Sequence, residues 1–148
     1  MFIQIKNLTK KFKNNLAVNN INFSIEKNNV LGLLGPNGCG KTTSIGMILG
    51  LIKPTSGQII IDNKNLESFK RNDILARINF ASPYIELPKK LTVRQNLEVY
   101  GRLYGIKNRK ERIEEISEDL NIKDFFDRQT GELSSGQKNR VSLAKSLI

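Results

Sequence analysis

The run Gly35-Pro36-Asn37-Gly38-Cys39-Gly40-Lys41-Thr42 fits the pattern G-x-x-x-x-G-K-[ST] at every fixed position. These residue types at this spacing bind phosphate. Glycines at 35, 38 and 40 let the main chain take positive φ and approach a ligand closely. Successive N–H groups then converge as an anion nest at the positive end of the helix that follows. Lys41 supplies a point charge for the β- and γ-phosphates, Thr42 a hydroxyl for Mg²⁺, and Thr43 a further hydroxyl on the α-phosphate side. A chance match in a chain of this length is on the order of 1%. Cys39 reads as a small side chain filling a variable position of the loop.

Such a loop must be entered from a strand and left by a helix. The continuously apolar Val30-Leu31-Gly32-Leu33-Leu34 predicts a strand buried on both faces. Thr42 to Leu51 predicts a helix, with Ile45, Ile48 and Leu49 at helical spacing and Gly50 near its end. Residues 2–6 and 21–25 alternate as strands with one wet face, and Asn28-Asn29 turns into the loop strand. Lys53 to Gly57 stops the first helix, 58–62 reads as a strand, and Asn63-Lys64 as a turn. A short helix is expected at 70–75 and a strand at 77–81.

The second half is helical. Thr92 and Gln95 are placed for a capping box, ahead of an apolar face at Val93, Leu97, Tyr100 and Tyr104. Asn108 and Glu111 suggest another box, with Ile113, Ile116 and Leu120 on the inner stripe and Glu114, Glu115, Glu118 and Asp119 on the solvated face.

Composition bounds the answer without choosing it. The 148 residues are 39% hydrophobic, and no apolar stretch reaches the roughly 18–20 residues of a membrane helix. The N-terminus lacks the layout of a signal peptide, and one cysteine forms no internal disulfide, so a cytoplasmic location is expected. The net charge of +10 comes from scattered lysines, which reads as a solvated surface, and no specific nucleic acid is expected.

A second motif sits near the C-terminal end. Leu133-Ser134-Ser135-Gly136-Gln137 precedes Lys138, Arg140 and the apolar pattern Val141, Ala144, Leu147. Ser134 or Ser135 can cap this helix, whose N–H groups make a second anion site. Paired with the phosphate loop upstream, this pentapeptide resembles the signature of ABC transporter ATP-binding domains, usually LSGGQ, with Ser135 in place of the first glycine. The resemblance covers essentially the whole chain and looks most like single-domain bacterial subunits. It implies an α/β fold: a P-loop NTPase core with an N-terminal antiparallel β portion and a helical subdomain, ending before the Walker B strand. The expected division is 1–82 for the nucleotide-binding core, 83–140 for the helical subdomain with the signature, and 141–148 for the start of the return to the core.

The resemblance further implies that Phe12 stacks on adenine with Val18 nearby, that ATP and Mg²⁺ are bound, and that Thr42 ligates the metal. It implies two partners, a transmembrane permease subunit and a second ATP-binding domain in a homodimer or heterodimer. The loop at 35–43 of one domain would then face the signature at 133–137 of the other, on the inner face of the membrane. Two departures stand out. Ser82-Pro83-Tyr84 occupies the place of a glutamine that contacts Mg²⁺. The aspartate–glutamate pair and the later histidine of the family have no counterpart before Ile148, and the chain contains no histidine. Strands that flank the loop strand in the family are expected to be missing with them, leaving unpaired edges. The expected function is ATP binding to power transport, without hydrolysis by this chain alone. The alternatives are a soluble ABC-type ATPase acting on ribosomes or DNA, and a non-functional truncated product.

Overall fold

The computed structural model describes residues 1–69, 71–82 and 87–148. The chain forms two compact units, Met1–Ile78 and Asn79–Ile148.

The first unit is built on a long hairpin. Strands β1 (Ile3–Phe12) and β2 (Asn15–Ile25) pair antiparallel, and β3 (Ser56–Ile61) and the two-residue β4 (Lys64–Asn65) complete a sheet of order β2-β1-β3-β4. Both hairpin strands run well past their expected limits, because bulges break the alternation that would reveal them. On β1 the buried residues Ile5 and Leu8 are three apart, so one residue must bulge. Asn7 does so at φ 50°, and its N–H donates to Asn22 Oδ1 at 2.8 Å. Asn20 is the matching irregularity on β2, at φ 47°, with its N–H donating to Thr9 Oγ1 at 3.0 Å. Asparagine tolerates this left-handed backbone, and the side-chain acceptors satisfy N–H groups that the ladder does not use.

Helix α1 (Lys41–Ile48) packs against this sheet, and its end is turned by Gly50 at φ 69°. Its buried face differs from the expected one. Met47 is fully buried with Ser44 and Gly46, whereas Ile45 is exposed. The helix passes so close to Ile52 that a Cβ on Gly46 would lie 2.8 Å from Ile52 Cδ1. The unit's core joins Met47 to Ile5, Leu8, Val18, Ile59, Ile61, Leu66 and Ile74, the last on α2 (Arg71–Leu75).

Two expected strands do not form. Residues 30–34 make no ladder, and Val30 and Leu34 are 100% and 92% exposed. Residues 77–81 are likewise irregular. An apolar sequence sets the taste of a segment for burial, but a strand exists only where a neighbour takes its hydrogen bonds, and no strand among the described residues pairs with either.

The second unit holds α3 (Val93–Leu103), α4 (Arg109–Asp119) and α5 (Ser135–Leu147) around Val93, Leu97, Ile113, Ile116, Ile122, Phe125, Phe126, Leu133, Val141 and Ala144. The Thr92–Gln95 capping box forms in both directions. Asn108, in contrast, makes no side-chain cap bond, because its backbone at φ −94°, ψ 53° is outside the extended region a cap needs. Tyr104 is exposed, its ring tilted at 43° to that of Tyr100 with the centroids 6.0 Å apart, while Asn96 takes the buried place beside Leu97. Its Nδ2 group donates to the Pro88, Leu91 and Thr92 carbonyls. Among the described residues no helix is long and apolar enough to cross a membrane.

Candidate nucleotide-binding site

The loop takes the backbone that its glycines allow. Gly35, Gly38 and Gly40 have φ of 152°, 83° and 92°, all closed to ordinary side chains. Pro36 to Cys39 forms a turn, with the Cys39 N–H donating to the Pro36 carbonyl at 3.4 Å. Gly40 is the left-handed N-cap residue of α1 and offers no side-chain cap, and the first turn carries no acidic residue. The consequence is a row of open donors. Among the described residues, the N–H groups of Gly38, Gly40, Lys41, Thr42 and Thr43 have no hydrogen-bond partner. Convergent N–H groups on a loop that enters a helix make an anion site.

Lys41 already occupies acceptors within the loop. Its Nζ donates to the Gly35 and Pro36 carbonyls at 2.7 Å each, and lies 3.7 Å from Cys39 Sγ. The Cys39 thiol folds over Gly35, where a Cβ would sit 2.7 Å from Sγ. Thr42 is exposed on the first turn and Thr43 half-buried. Gly40 backs onto the β hairpin: an added Cβ would run into the Ala17 carbonyl oxygen and lie 3.0 Å from Val18 Cγ2. Ala17 therefore positions the loop, a role signalled in sequence only by the demand for glycine at 40.

Of the residues expected around the base, Phe12 stands at the end of β1, 45% exposed as a residue, with Lys10 Nζ 4.8 Å from its ring centroid. Val18 is 5% exposed and belongs to the core, behind Gly40.

The second motif lies in the other unit. Ser134 is the N-cap of α5. Its hydroxyl accepts from the Gln137 N–H at 3.3 Å, and Gln137 Oε1 accepts from the Ser134 N–H at 2.9 Å. That reciprocal box leaves the Ser135 and Gly136 N–H groups open among the described residues. Leu133 is buried. A cavity of about 400 Å³ opens beside this motif, lined by Leu133, Ser135 and Lys138 and by Thr130 and Ser142. Ser82 also lines it, whereas Pro83 and Tyr84 lie outside the described residues.

The residues of the phosphate loop fit Mg²⁺ through the exposed Thr42. No group of three or more His, Cys, Asp or Glu is gathered to hold a metal among the described residues. Mg²⁺ needs none, since it takes one or two protein oxygens and completes its shell with phosphate and water. The exposed Thr42 hydroxyl is such an oxygen.

Fold and loop together define a phosphate-loop nucleotide-binding protein, and comparison with known proteins narrows the class. A model of the ABC transporter family matches residues 18–148, and the chain belongs to that family. It is 38% identical over 146 residues to the zinc import ATP-binding protein of Rickettsia conorii. It is 37% identical over 149 residues to the bacitracin transport ATP-binding protein of Bacillus licheniformis. Each alignment takes in 99% of this chain, but the chain spans only 57% and 47% of those relatives. Among solved structures, cbiO1 from Clostridium perfringens, part of the ABC transporter complex cbiONQ, superposes with a TM-score of 0.85 at 29% identity, covering 99% of this chain and 61% of that one.

Proposed function

We propose that this chain binds MgATP as the nucleotide-binding part of an ABC transporter's ATP-binding subunit. One observation carries the reading: five N–H groups with no hydrogen-bond partner among the described residues lie along a three-glycine loop that also carries the Lys41 ammonium. The triphosphate would lie along those donors. Lys41 would leave the Gly35 and Pro36 carbonyls to meet the β- and γ-phosphates, the helix dipole adding to the attraction. Thr42 would hold Mg²⁺, which offsets charge on the bridging phosphate oxygens, and Thr43 would face the α-phosphate side. Phe12, exposed at the hairpin end, would take the adenine face, while Val18 supports the loop from within the core.

The names of the relatives support a role in transport, and the partners proposed with it are a transmembrane permease and a second ATP-binding domain at the inner face of the membrane. In that pairing the Ser135 and Gly136 N–H groups and Gln137 of one copy would complete the phosphate site of the other. Transition-state charge in phosphoryl transfer is met by such donors, with the metal and lysine. Direct titration with ATP and Mg²⁺ tests the binding reading. Saturable binding that weakens on the order of 10–100-fold in Lys41→Ala is expected, and no saturable binding by the parent chain would overturn the reading. The net charge of +10 favours one alternative, an ABC-type ATPase that acts on ribosomes or DNA. Co-purification with ribosomal RNA and not with membranes would select it.

A further inference from the structure

We infer that the phosphate loop carries a self-modification site, the Asn37–Gly38 peptide, at which deamidation switches off anion binding. Of the seventeen asparagines in the chain, Asn37 alone is followed by glycine. Ring closure requires the next residue's backbone nitrogen to reach the asparagine Cγ, and a side chain on that next residue obstructs it. The five asparagines held at positive φ elsewhere, Asn7, Asn20, Asn28, Asn63 and Asn121, precede Leu8, Ile21, Asn29, Lys64 and Ile122. Each of those followers is long or branched.

The local geometry adds three permissive features. Asn37 and Gly38 are both exposed, at the centre of a turn whose main-chain closure is the long Cys39-to-Pro36 hydrogen bond, with Lys41 Nζ on the Gly35 and Pro36 carbonyls to one side. Nothing lies within 4 Å of the position a Cβ would take on Gly38, so the peptide has room to rotate. Neither the Asn37 carboxamide nor the Gly38 N–H has a hydrogen-bond partner among the described residues, so no ladder or cap holds electrophile and nucleophile apart.

The chemistry balances with water alone. The deprotonated Gly38 nitrogen attacks Asn37 Cγ, a C–N bond forms, and ammonia leaves with the returned proton to give a succinimide. One water then opens either carbonyl of the ring, yielding aspartate or isoaspartate. Both products place a carboxylate among donors arranged for an anion, and isoaspartate also lengthens the main chain within the nest. A unit charge at this range from a polyphosphate weakens binding by about tenfold or more.

The effect on nucleotide rests on the binding reading above, whereas the modification does not, and the experiment separates them. The purified chain is aged in mildly alkaline buffer with and without MgATP, then analysed by peptide mass mapping and isoaspartyl methyltransferase labelling. Expected is a mass gain of one dalton and label concentrated in the peptide bearing Asn37, ahead of every other asparagine, and slower in MgATP. Nucleotide titration of fresh protein and of Asn37→Asp completes the test, with the substituted chain expected to bind about tenfold more weakly or worse. An unmodified Asn37 peptide while other asparagines deamidate would overturn the site. Rapid deamidation in protein that binds no nucleotide even when fresh would uphold the site and sink the binding reading. Asn37→Asp binding as tightly as the parent would overturn the switch.

Discussion

The starts of α1 and α5 are the two places where sequence promises an anion site, and they are built in opposite ways. At α5 the helix satisfies part of itself: Ser134 and Gln137 exchange bonds, and two N–H groups stay open among the described residues. At α1 no side chain caps the helix, the loop before it holds three glycines in conformations closed to others, and among the described residues five donors of loop and first turn stay open. Capping stabilises a helix by filling the groups a ligand would otherwise use. An uncapped start is therefore the costlier one to fold and the better one to bind with. The surrounding units repeat the contrast. The helical unit encloses its apolar core, whereas beside the loop residues 30–34 leave Val30 and Leu34 in water.

That contrast can be broken by substitution, beginning where the effect is greatest. Gly40→Ala forces a side chain into φ 92° and against the Ala17 carbonyl, so it should cost about 2 kcal/mol or more of stability and abolish nucleotide binding. Urea unfolding and titration check both, and a tolerated alanine would show that the loop is not held by the hairpin. Lys41→Ala should lower ATP affinity on the order of 10–100-fold while leaving the unfolding midpoint nearly in place, since its partners are exposed loop carbonyls. Equal losses of affinity and stability would mean that Lys41 serves the loop and not the ligand. On the self-satisfied side, Thr92→Ala removes half of the α3 box and should cost about 1 kcal/mol by urea unfolding. No change would mean that boxed helix starts gain nothing here, and the contrast would lose its basis.

The smallest effect concerns pH. Asp127 is held below its ordinary pKa by the hydrogen bond from the Arg94 guanidinium, at 2.8 Å, and by its charge. A carboxyl lowered by folding contributes stability above its unfolded pKa, near 4, and loses it as pH falls through the lower folded value. Unfolding midpoints of the parent and Asp127→Asn should therefore differ slightly at neutral pH and converge in acid. Parallel curves down to low pH would show that the pair is not coupled to folding.

What the sequence made legible was local. A loop of fixed length between a glycine and a lysine, or a serine three residues ahead of a glutamine, is specified by neighbours along the chain, and both motifs take the forms their residues imply. Capping alone shows the limit of this logic. Thr92 and Ser134 close their boxes, but Asn108 has the right neighbour and the wrong backbone. Non-local features were hidden for physical reasons. Bulges at Asn7 and Asn20 erased the alternation of the hairpin, and the apolar run 30–34 reads as a strand because composition reports burial but not the partner that makes a ladder.

The contact of Gly40 with Ala17 and Val18 has one more consequence. It ties the first residue before the helix to the same hairpin that ends in Phe12, through a ladder in which Lys10 pairs with Val18 and Phe12 with Asn15. The backbone span from the Phe12 end of β1 to the start of α1 is thus set by strand register and by the Gly40–Ala17 contact. On the proposed reading, a nucleotide with its base at Phe12 and its phosphates on the loop would be measured against that span, and one of the wrong length would meet only one end of it.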